Sequence, residues 1–239
     1  MREEYTIVKK HVLEVFDRIA DSYSHLRHKP WIDVVYELIS RVPCDESRLI
    51  LDVGAGSGRH SVALAKLGFE VVSIDVSFNM LRHLLLRAMR ERLEERIHVI
   101  VCDMCSIPIR SNVSTGLIAV ASIHHIPLRS NRVKALREMR RVVKRDAPII
   151  VTVWSLLQPR LFLKALYYKL IKGVKEFGDV LIPWKYKGTL FKRYYHLFTK
   201  RELMNLARSG GLNIINCFTY NLKSSLFPQN YVLITKKGE

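Results

Sequence analysis

The chain has 239 residues, 49% of them hydrophobic, and its 39 Lys plus Arg against 22 Asp plus Glu give a formal charge of +17. This length and apolar content support one large domain with a buried core, and no apolar run approaches the length of a bilayer span. The charge excess favours a polyanionic partner, because neutralising phosphates releases counterions, and it points towards nucleic acid.

The amino terminus reads Met-Arg-Glu-Glu-Tyr, without a basic segment followed by an apolar one. Four cysteines, Cys44, Cys102, Cys105 and Cys217, are too few and too scattered for a disulfide scaffold, so a cytoplasmic location is the expectation. Residues 7–25 carry Val12, Phe16, Ile19 and Tyr23 at helical spacing and predict an amphipathic helix. Pro30 then forces its predecessor out of the helical region, leaving Arg27 and Lys29 on an irregular connection. A second helix over about 31–41 leads through Pro43 to the first strand.

That strand, with Leu49, Ile50, Leu51 and Val53, has the continuous apolar pattern of a buried parallel strand. It runs into Asp52-Val53-Gly54-Ala55-Gly56-Ser57-Gly58-Arg59, where glycines let the backbone turn sharply and approach a ligand with no Cβ in the way. A helix starting near 57–59 aims its free N–H groups and positive dipole end into the same crevice, so a nucleotide-like cofactor is the expected occupant. A dinucleotide fingerprint needs glycines at 54, 56 and 59, but Arg59 holds the last place. The pattern resembles instead the first motif of class I S-adenosylmethionine (SAM) methyltransferases, an acidic residue two places before G-x-G-x-G. The resemblance puts Asp52 near the amino-acid end of the cofactor and Gly54, Ala55, Gly56 and Gly58 under it.

A helix over 60–67 and a strand over 70–75 follow. Asp75 ends that strand about 20 residues beyond the glycines, where an acidic side chain can accept both ribose hydroxyls, with Val76 beside it. A longer helix is expected from an N-cap at Ser77 to about 92, then a strand over 97–101. At its end, the resemblance assigns Asp103 to the adenine amine and Met104 to the face of the ring. Cys102 and Cys105 form a lone C-x-x-C without a second ligand pair, and no metal site is expected. The strand over 116–121 delivers Ser122, His124 and His125 to the carboxyl edge of the sheet, where open α/β folds place their chemistry. The adjacent histidines lack carboxylate or thiolate company at ligand spacing, so they too predict no metal. A helix over 131–144 and a strand over 149–154 complete the regular core.

From 155 to about 198 the pattern changes. An apolar, basic helical stretch (Leu156 to Leu170) is followed by a predicted loop with Gly178, Pro183 and Gly188, and then by Phe191-Lys192-Arg193-Tyr194-Tyr195-His196. This reads as an insertion folded over the carboxyl edge of the sheet. A helix over 199–209 and strands over 213–219 and 231–236 finish the chain. The expected fold is α/β and Rossmann-like, a seven-stranded, mostly parallel sheet with a terminal antiparallel hairpin and helices on both faces.

Val-Phe-Asp-Arg-Ile-Ala-Asp-Ser-Tyr-Ser near the amino terminus, Arg27-His28-Lys29-Pro30-Trp31, the glycine motif, residues 122–126 and Arg193-Tyr194-Tyr195-His196-Leu197-Phe198 occur in the order found in the tRNA wobble-uridine carboxymethyl methyltransferases. The chain resembles a compact member of that family over nearly its whole length. It departs at Asp146-Ala147, where many relatives have Gly-Gly before the fifth strand, and in its short insertion, which leaves the grip on tRNA open. The resemblance implies residues 1–45 as a helical extension on the substrate side of a methyltransferase domain over 46–239. It implies methyl transfer from SAM to the carboxylate of a 5-carboxymethyl group on the first anticodon base. Arg27 and Lys29 would hold carboxylate or phosphate, Tyr194 and His196 would bracket the base with Arg193 beside them, and His124 and Trp154 would wall the pocket. Base stacking on aromatics is the usual way an unpaired RNA base is held. The family also implies a small zinc-binding activator protein, expected on the exposed edge strand at 97–101. Two other classes remain compatible with the motifs: a small-molecule carboxyl or oxygen methyltransferase, against which the charge argues, and a SAM-binding partner without catalysis, against which the intact Asp52, Gly54, Gly56, Asp75 and Asp103 argue.

Overall fold

The computed structural model describes residues 2–43, 48–222 and 225–238. Cys44, one of the four cysteines weighed above, lies outside the described residues. Two helices, α1 (Arg2–Leu26) and α2 (Ile32–Ile39), precede strand β1 (Leu49–Val53). There follow α3 (Arg59–Lys66), β2 (Glu70–Asp75), α4 (Phe78–Arg90), β3 (Ile97–Val101), β4 (Gly116–Val120), α5 (Arg129–Val142) and β5 (Pro148–Trp154). The insertion supplies α6 (Pro159–Ile171), β6 (Asp179–Tyr186) and β7 (Thr189–His196), and α7 (Lys200–Ser209), β8 (Leu212–Tyr220) and β9 (Asn230–Lys237) close the chain.

Seven strands form one sheet in the order β3-β2-β1-β4-β5-β9-β8, parallel except where β9 pairs with β5 and β8. The order reverses between β1 and β4, which pair directly, and this switch point opens a crevice at their carboxyl ends. Strands this apolar must be covered on both faces. On one face α5 and α7 supply Leu136, Met139, Leu203 and Leu206 against Leu51, Leu117 and Val151. On the other, α2, α3 and α4 supply Leu38, Leu64 and Leu84 against Ile50, Val71 and Ile118. Ser77 caps α4 as expected, its Oγ accepting from the Met80 N–H at 3.2 Å.

The segment around Pro183 and Gly188 is a hairpin and not the expected loop. β6 and β7 pair antiparallel from Asp179↔His196 to Tyr186↔Thr189, apart from the main sheet. Lys187 and Gly188 make the turn at φ 46° and 76°, the left-handed pair that suits a two-residue hairpin. A two-stranded ribbon leaves an open edge on each strand, which tolerates the missing N–H of Pro183. Asp146 also holds a left-handed φ of 60° in the turn before β5.

Helix α1 lies across the crevice. Asp17 Oδ1 accepts from Ser77 Oγ at 2.5 Å and from the Asn79 N–H at 3.1 Å, which ties the helix to the start of α4. Trp184 Nε1 donates to Ser22 Oγ at 2.9 Å, so the hairpin is seated on the same helix. The insertion is clasped to the core by buried charge. His196 Nδ1 lies 2.7 Å from Asp179 Oδ1 and its Nε2 lies 2.8 Å from Glu202 Oε1, while Arg132 pairs with Glu176.

Candidate active site

The glycine turn after β1 forms the floor of the first cavity. Gly54, Ala55 and Gly56 line it, with Ser57 and Arg59 from the start of α3. At Gly56 a Cβ would meet nothing within 4 Å, so its backbone faces open space, with φ at 54°. At Gly54 a Cβ would stand 2.3 Å from that of Ser122. Gly58 serves packing: it is the left-handed N-cap residue of α3, and a Cβ there would fall 2.0 Å from Leu84 Cδ1. It does not line the cavity, contrary to the expectation from its place in the motif.

Asp75 closes one side. Its Oδ2 accepts from the Gly56 N–H at 2.8 Å and its Oδ1 from the Ser77 N–H at 2.9 Å, which fixes the carboxylate at the cavity wall beside Val76. Burial pushes its pKa up, against the pull of these backbone donors. At the far wall Met104 and Asp103 line the same cavity. Asp103 Oδ1 accepts from the Cys105 N–H at 2.8 Å, and its Oδ2 is ion-paired to Lys9 of α1 at 2.8 Å. Asp52 stands behind the floor rather than in the cavity. It is 1% exposed, and its Oδ2 accepts from Ser61 Oγ at 2.6 Å. Burial raises its pKa to about 6. Its short side chain points from a buried strand position into the α3 interface, so it props the glycine turn from beneath.

Ala121, at φ 53°, turns the chain after β4 and sets Ser122 under Gly54 with its Oγ donating to the Val53 carbonyl at 3.0 Å. Such a left-handed non-glycine residue is costly and is concentrated at functional sites. The roof comes from α1, where Val12 and Phe16 face the cavity and the Phe16 ring meets the His125 ring edge-on at 4.7 Å. A glycine floor open at Gly56, a fixed carboxylate at Asp75 and an apolar wall at Met104 fit a nucleoside with a charged tail, which is the form of SAM.

A second cavity adjoins the first and shares Tyr23, Arg27, Arg59 and Ala121 with it. Trp31, His124, Trp154, Arg193 and Tyr195 form its other walls, with Gln158 and Asn230 at one side. Among the described residues lining it, three are arginines and none is a carboxylate. His124, Trp154 and Tyr195 form an aromatic cluster: Tyr195 lies 4.8 Å from His124 and 4.6 Å from Trp154, centroid to centroid. Arg193 stacks over Trp184 at 4.6 Å and donates to Tyr195 Oη at 2.9 Å. Burial drives the His124 pKa far down and that of His125 to about 3, so both rings are neutral. His124 Nδ1 accepts from the Trp154 N–H at 3.3 Å, which leaves the proton on Nε2. Among the described residues neither that nitrogen nor Arg193 Nε, both buried, has a hydrogen-bond partner. Such buried donors beside a cavity call for an acceptor, a water or a ligand atom, to complete them.

Of the residues expected at the acceptor side, Arg27, His124, Trp154 and Arg193 are therefore brought together. Lys29, Tyr194 and His196 are not. Lys29 is exposed on the connection, and only its carbonyl reaches the site, accepting from Arg59 Nη1 at 3.4 Å. Tyr194 points the other way along β7 and donates to Asp179 Oδ1 at 2.7 Å. His196 is 1% exposed, between Asp179 and Glu202. Alternation along a strand decides this, since Arg193 and Tyr195 share the face turned to the cavity while Tyr194 and His196 share the opposite one. Arg59, Tyr195 and Tyr23 were given no role at the site by the sequence, and His125 was placed at the carboxyl edge of the sheet without one. Strand alternation from Arg193 would have pointed to Tyr195; the other three needed the fold. Cys102 and Cys105 belong to no group of metal ligands among the described residues, and Glu176, Asp179 and His196, which do cluster, are ion-paired within the clasp that also holds Arg132.

A family model described as a methyltransferase domain matches residues 51–151. The mouse tRNA (carboxymethyluridine(34)-5-O)-methyltransferase ALKBH8 is 30% identical over 157 residues, covering 66% of this chain and 22% of that protein. The tRNA (carboxymethyluridine(34)-5-O)-methyltransferase of Arabidopsis thaliana is 31% identical over 149 residues, covering 62% of this chain and 34% of that one. The enzyme of the same name from Schizosaccharomyces pombe is 26% identical over 228 residues, covering 86% and 90%. The chain thus spans about a fifth to two fifths of the vertebrate ALKBH8 proteins that it matches, at 22%, 37% and 23% of their length. Among solved structures, a SAM-dependent methyltransferase from Methanosarcina mazei superposes with a TM-score of 0.72 at 23% identity, over 85% of this chain and 98% of that one. The chain has the fold of the class I S-adenosylmethionine-dependent methyltransferases and carries a methyltransferase domain over residues 51–151, and the tRNA (carboxymethyluridine(34)-5-O)-methyltransferases are among its sequence relatives.

Proposed function

We propose that this enzyme methylates the carboxylate of 5-carboxymethyluridine at the wobble position of tRNA, giving a methyl ester. The observation that carries this reading is the second cavity, an aromatic slot with three arginines and no acidic lining residue, open to the cofactor cavity through Arg27 and Arg59. A planar base with an anionic arm matches it in both shape and charge, and the formal charge of +17 suits an RNA that carries that base. The sequence relatives support the same substrate.

When bound, SAM supplies an electrophilic methyl on a sulfonium. A carboxylate with a pKa near 4 is ionised at neutral pH, so the chain need not supply a general base. That agrees with two histidines held neutral by burial. The task left to the protein is orientation and the exclusion of water. Tyr195, Trp154 and Trp31 hold the base, His124 Nε2 and Arg193 Nε donate to its oxygens, and Arg27 guards the mouth. Asp75 takes the ribose hydroxyls of the cofactor. Asp103 takes the adenine amine once its Lys9 pair is shared or displaced, with Met104 against the ring.

The reading includes a small zinc-binding activator protein on the edge of the sheet. β3 is the terminal strand there, Val99 and Ile100 are only half-buried, and Val101 is 50% exposed. Phe78 and Met89 on neighbouring α4 are 62% and 63% exposed, so an apolar margin runs beside unpaired strand groups.

Purified protein, labelled SAM and total tRNA from cells lacking the wobble methyl ester test the substrate. Label in tRNA that disappears with Arg193→Ala, while cofactor binding persists, supports the assignment. Label transfer to small carboxylic acids in preference to tRNA would overturn it.

A further inference from the structure

We propose that Arg59 binds the substrate, holding the acceptor carboxylate at the seam between the two cavities, and that esterification cancels this attraction and releases the product. The inference rests on the reaction proposed above and assigns a role to a residue that the sequence marked only as the departure from a dinucleotide fingerprint.

Arg59 is the first residue of α3, directly after the glycine turn. Its position is therefore fixed relative to the cofactor floor and does not depend on a mobile connection. It lines both cavities. Its guanidinium is held from two sides, lying 5.5 Å from the centre of the Trp31 ring and donating to the Lys29 carbonyl at 3.4 Å. These contacts use part of its five-donor fork, and among the described residues it has no carboxylate within ion-pair distance. Its charged neighbour Asp52 lies beneath the floor, committed to Ser61. Burial pulls the Arg59 pKa down and the like charge of Arg27 adds to this, against the opposing pull of Tyr23 and Asp52. Arg27 itself is exposed at the mouth, where water screens it; Arg59 is half-buried behind Trp31, where screening is weaker.

The chemical balance gives this placement its consequence. The S–CH3 bond breaks with its electron pair remaining on sulfur, and an O–CH3 bond forms from a carboxylate lone pair, with no proton moved. The sulfonium loses its positive charge and the carboxylate its negative charge. The neutral ester leaves Arg59 and Arg27 uncompensated in a partly desolvated cavity, a state that costs more than the paired one. Acid should therefore bind more tightly than ester, and the difference should depend on Arg59.

The test uses protein saturated with S-adenosylhomocysteine and two anticodon stem-loop RNAs, one with 5-carboxymethyluridine at the wobble position and one with its methyl ester. Wild-type protein is expected to bind the acid about tenfold or more tightly than the ester. Arg59→Gln should bring that ratio close to one, with S-adenosylhomocysteine affinity unchanged, which also shows that the variant is folded. A preference that survives in Arg59→Gln overturns the role of Arg59 alone. Loss of S-adenosylhomocysteine binding in Arg59→Gln, with its melting temperature unchanged, assigns the residue to the cofactor and also overturns the role. A wild-type protein with no preference for the acid overturns the proposed substrate as well.

Discussion

The ring of Tyr195 stacks on that of His124 with centroids 4.8 Å apart and planes 27° from parallel, while Tyr194, its neighbour in β7, is turned away to Asp179. Two adjacent tyrosines thus serve different ends. Tyr195→Ala is expected to lower kcat/KM for tRNA by roughly 10- to 100-fold, the range for one lost aromatic stack, with SAM affinity kept. Tyr194→Phe should cost about 1 kcal/mol of stability through its lost hydrogen bond and leave kcat/KM near wild type. Steady-state kinetics and denaturant melts of the two variants check this, and equal kinetic losses would show that both rings reach the substrate.

Asp75 is expected to dominate cofactor affinity. Two backbone donors set its carboxylate at the cavity wall, and its replacement would remove the two charge-assisted hydrogen bonds proposed to the ribose. Asp75→Ala should weaken SAM binding by about 2 to 4 kcal/mol, measured by calorimetry. Unchanged affinity would remove Asp75 from the cofactor site.

The clasp of the insertion should make stability depend on pH. Burial disfavours the His196 imidazolium, but hydrogen bonds to Asp179 and Glu202 outweigh it and the pKa is raised. A group whose folded pKa lies above its unfolded value stabilises most below the unfolded value, here the ordinary 6.5, and the contribution is lost as pH rises through the raised folded value. Wild-type stability in urea should therefore fall as pH is raised from 6 towards that value, and His196→Gln should flatten this dependence. The substitution also strips Asp179 and Glu202 of their partner, at a cost of about 3 kcal/mol at pH 6. An unchanged pH slope in the variant would contradict the clasp.

The edge of the sheet gives a separate test. Val99→Lys sets a charge on β3 and should abolish co-purification with a zinc-binding activator protein while leaving the fold intact. A chain that is fully active alone, with Val99→Lys active too, would remove the activator from the account.

Much of the site was legible because it is local. The strand, glycine turn and helix at 49–66 occupy one continuous stretch, and Asp75 is placed by the next strand in the same unit. The glycine turn that floors the first cavity was legible in that stretch, while its assignment to SAM came from the family resemblance. The roof was not legible, because α1 reaches it through pairs such as Asp17 with Ser77 and Ser22 with Trp184, far apart in the chain. Asp52 and Gly58 carry the motif yet lie outside the cavity, since a motif records which residues the turn requires and not which of them touch the ligand. The hairpin at 179–196 was hidden by Pro183 and Gly188, read as loop signals although one sits on an open edge and the other makes the turn. Arg59 was counted as the departure from a dinucleotide fingerprint; its direction, towards Trp31, exists only in the fold.

The most direct test of the proposed reaction is the chemistry of the transferred methyl group. tRNA containing 5-carboxymethyluridine is incubated with the enzyme and methyl-labelled SAM, and half of the product is treated with mild alkali before nucleosides are separated by mass spectrometry. The label is expected in a single wobble nucleoside, heavier than its precursor by one methylene, and released as methanol by alkali as only an ester would be. Label that resists alkali, or that appears on a ring nitrogen or a ribose oxygen, would contradict it.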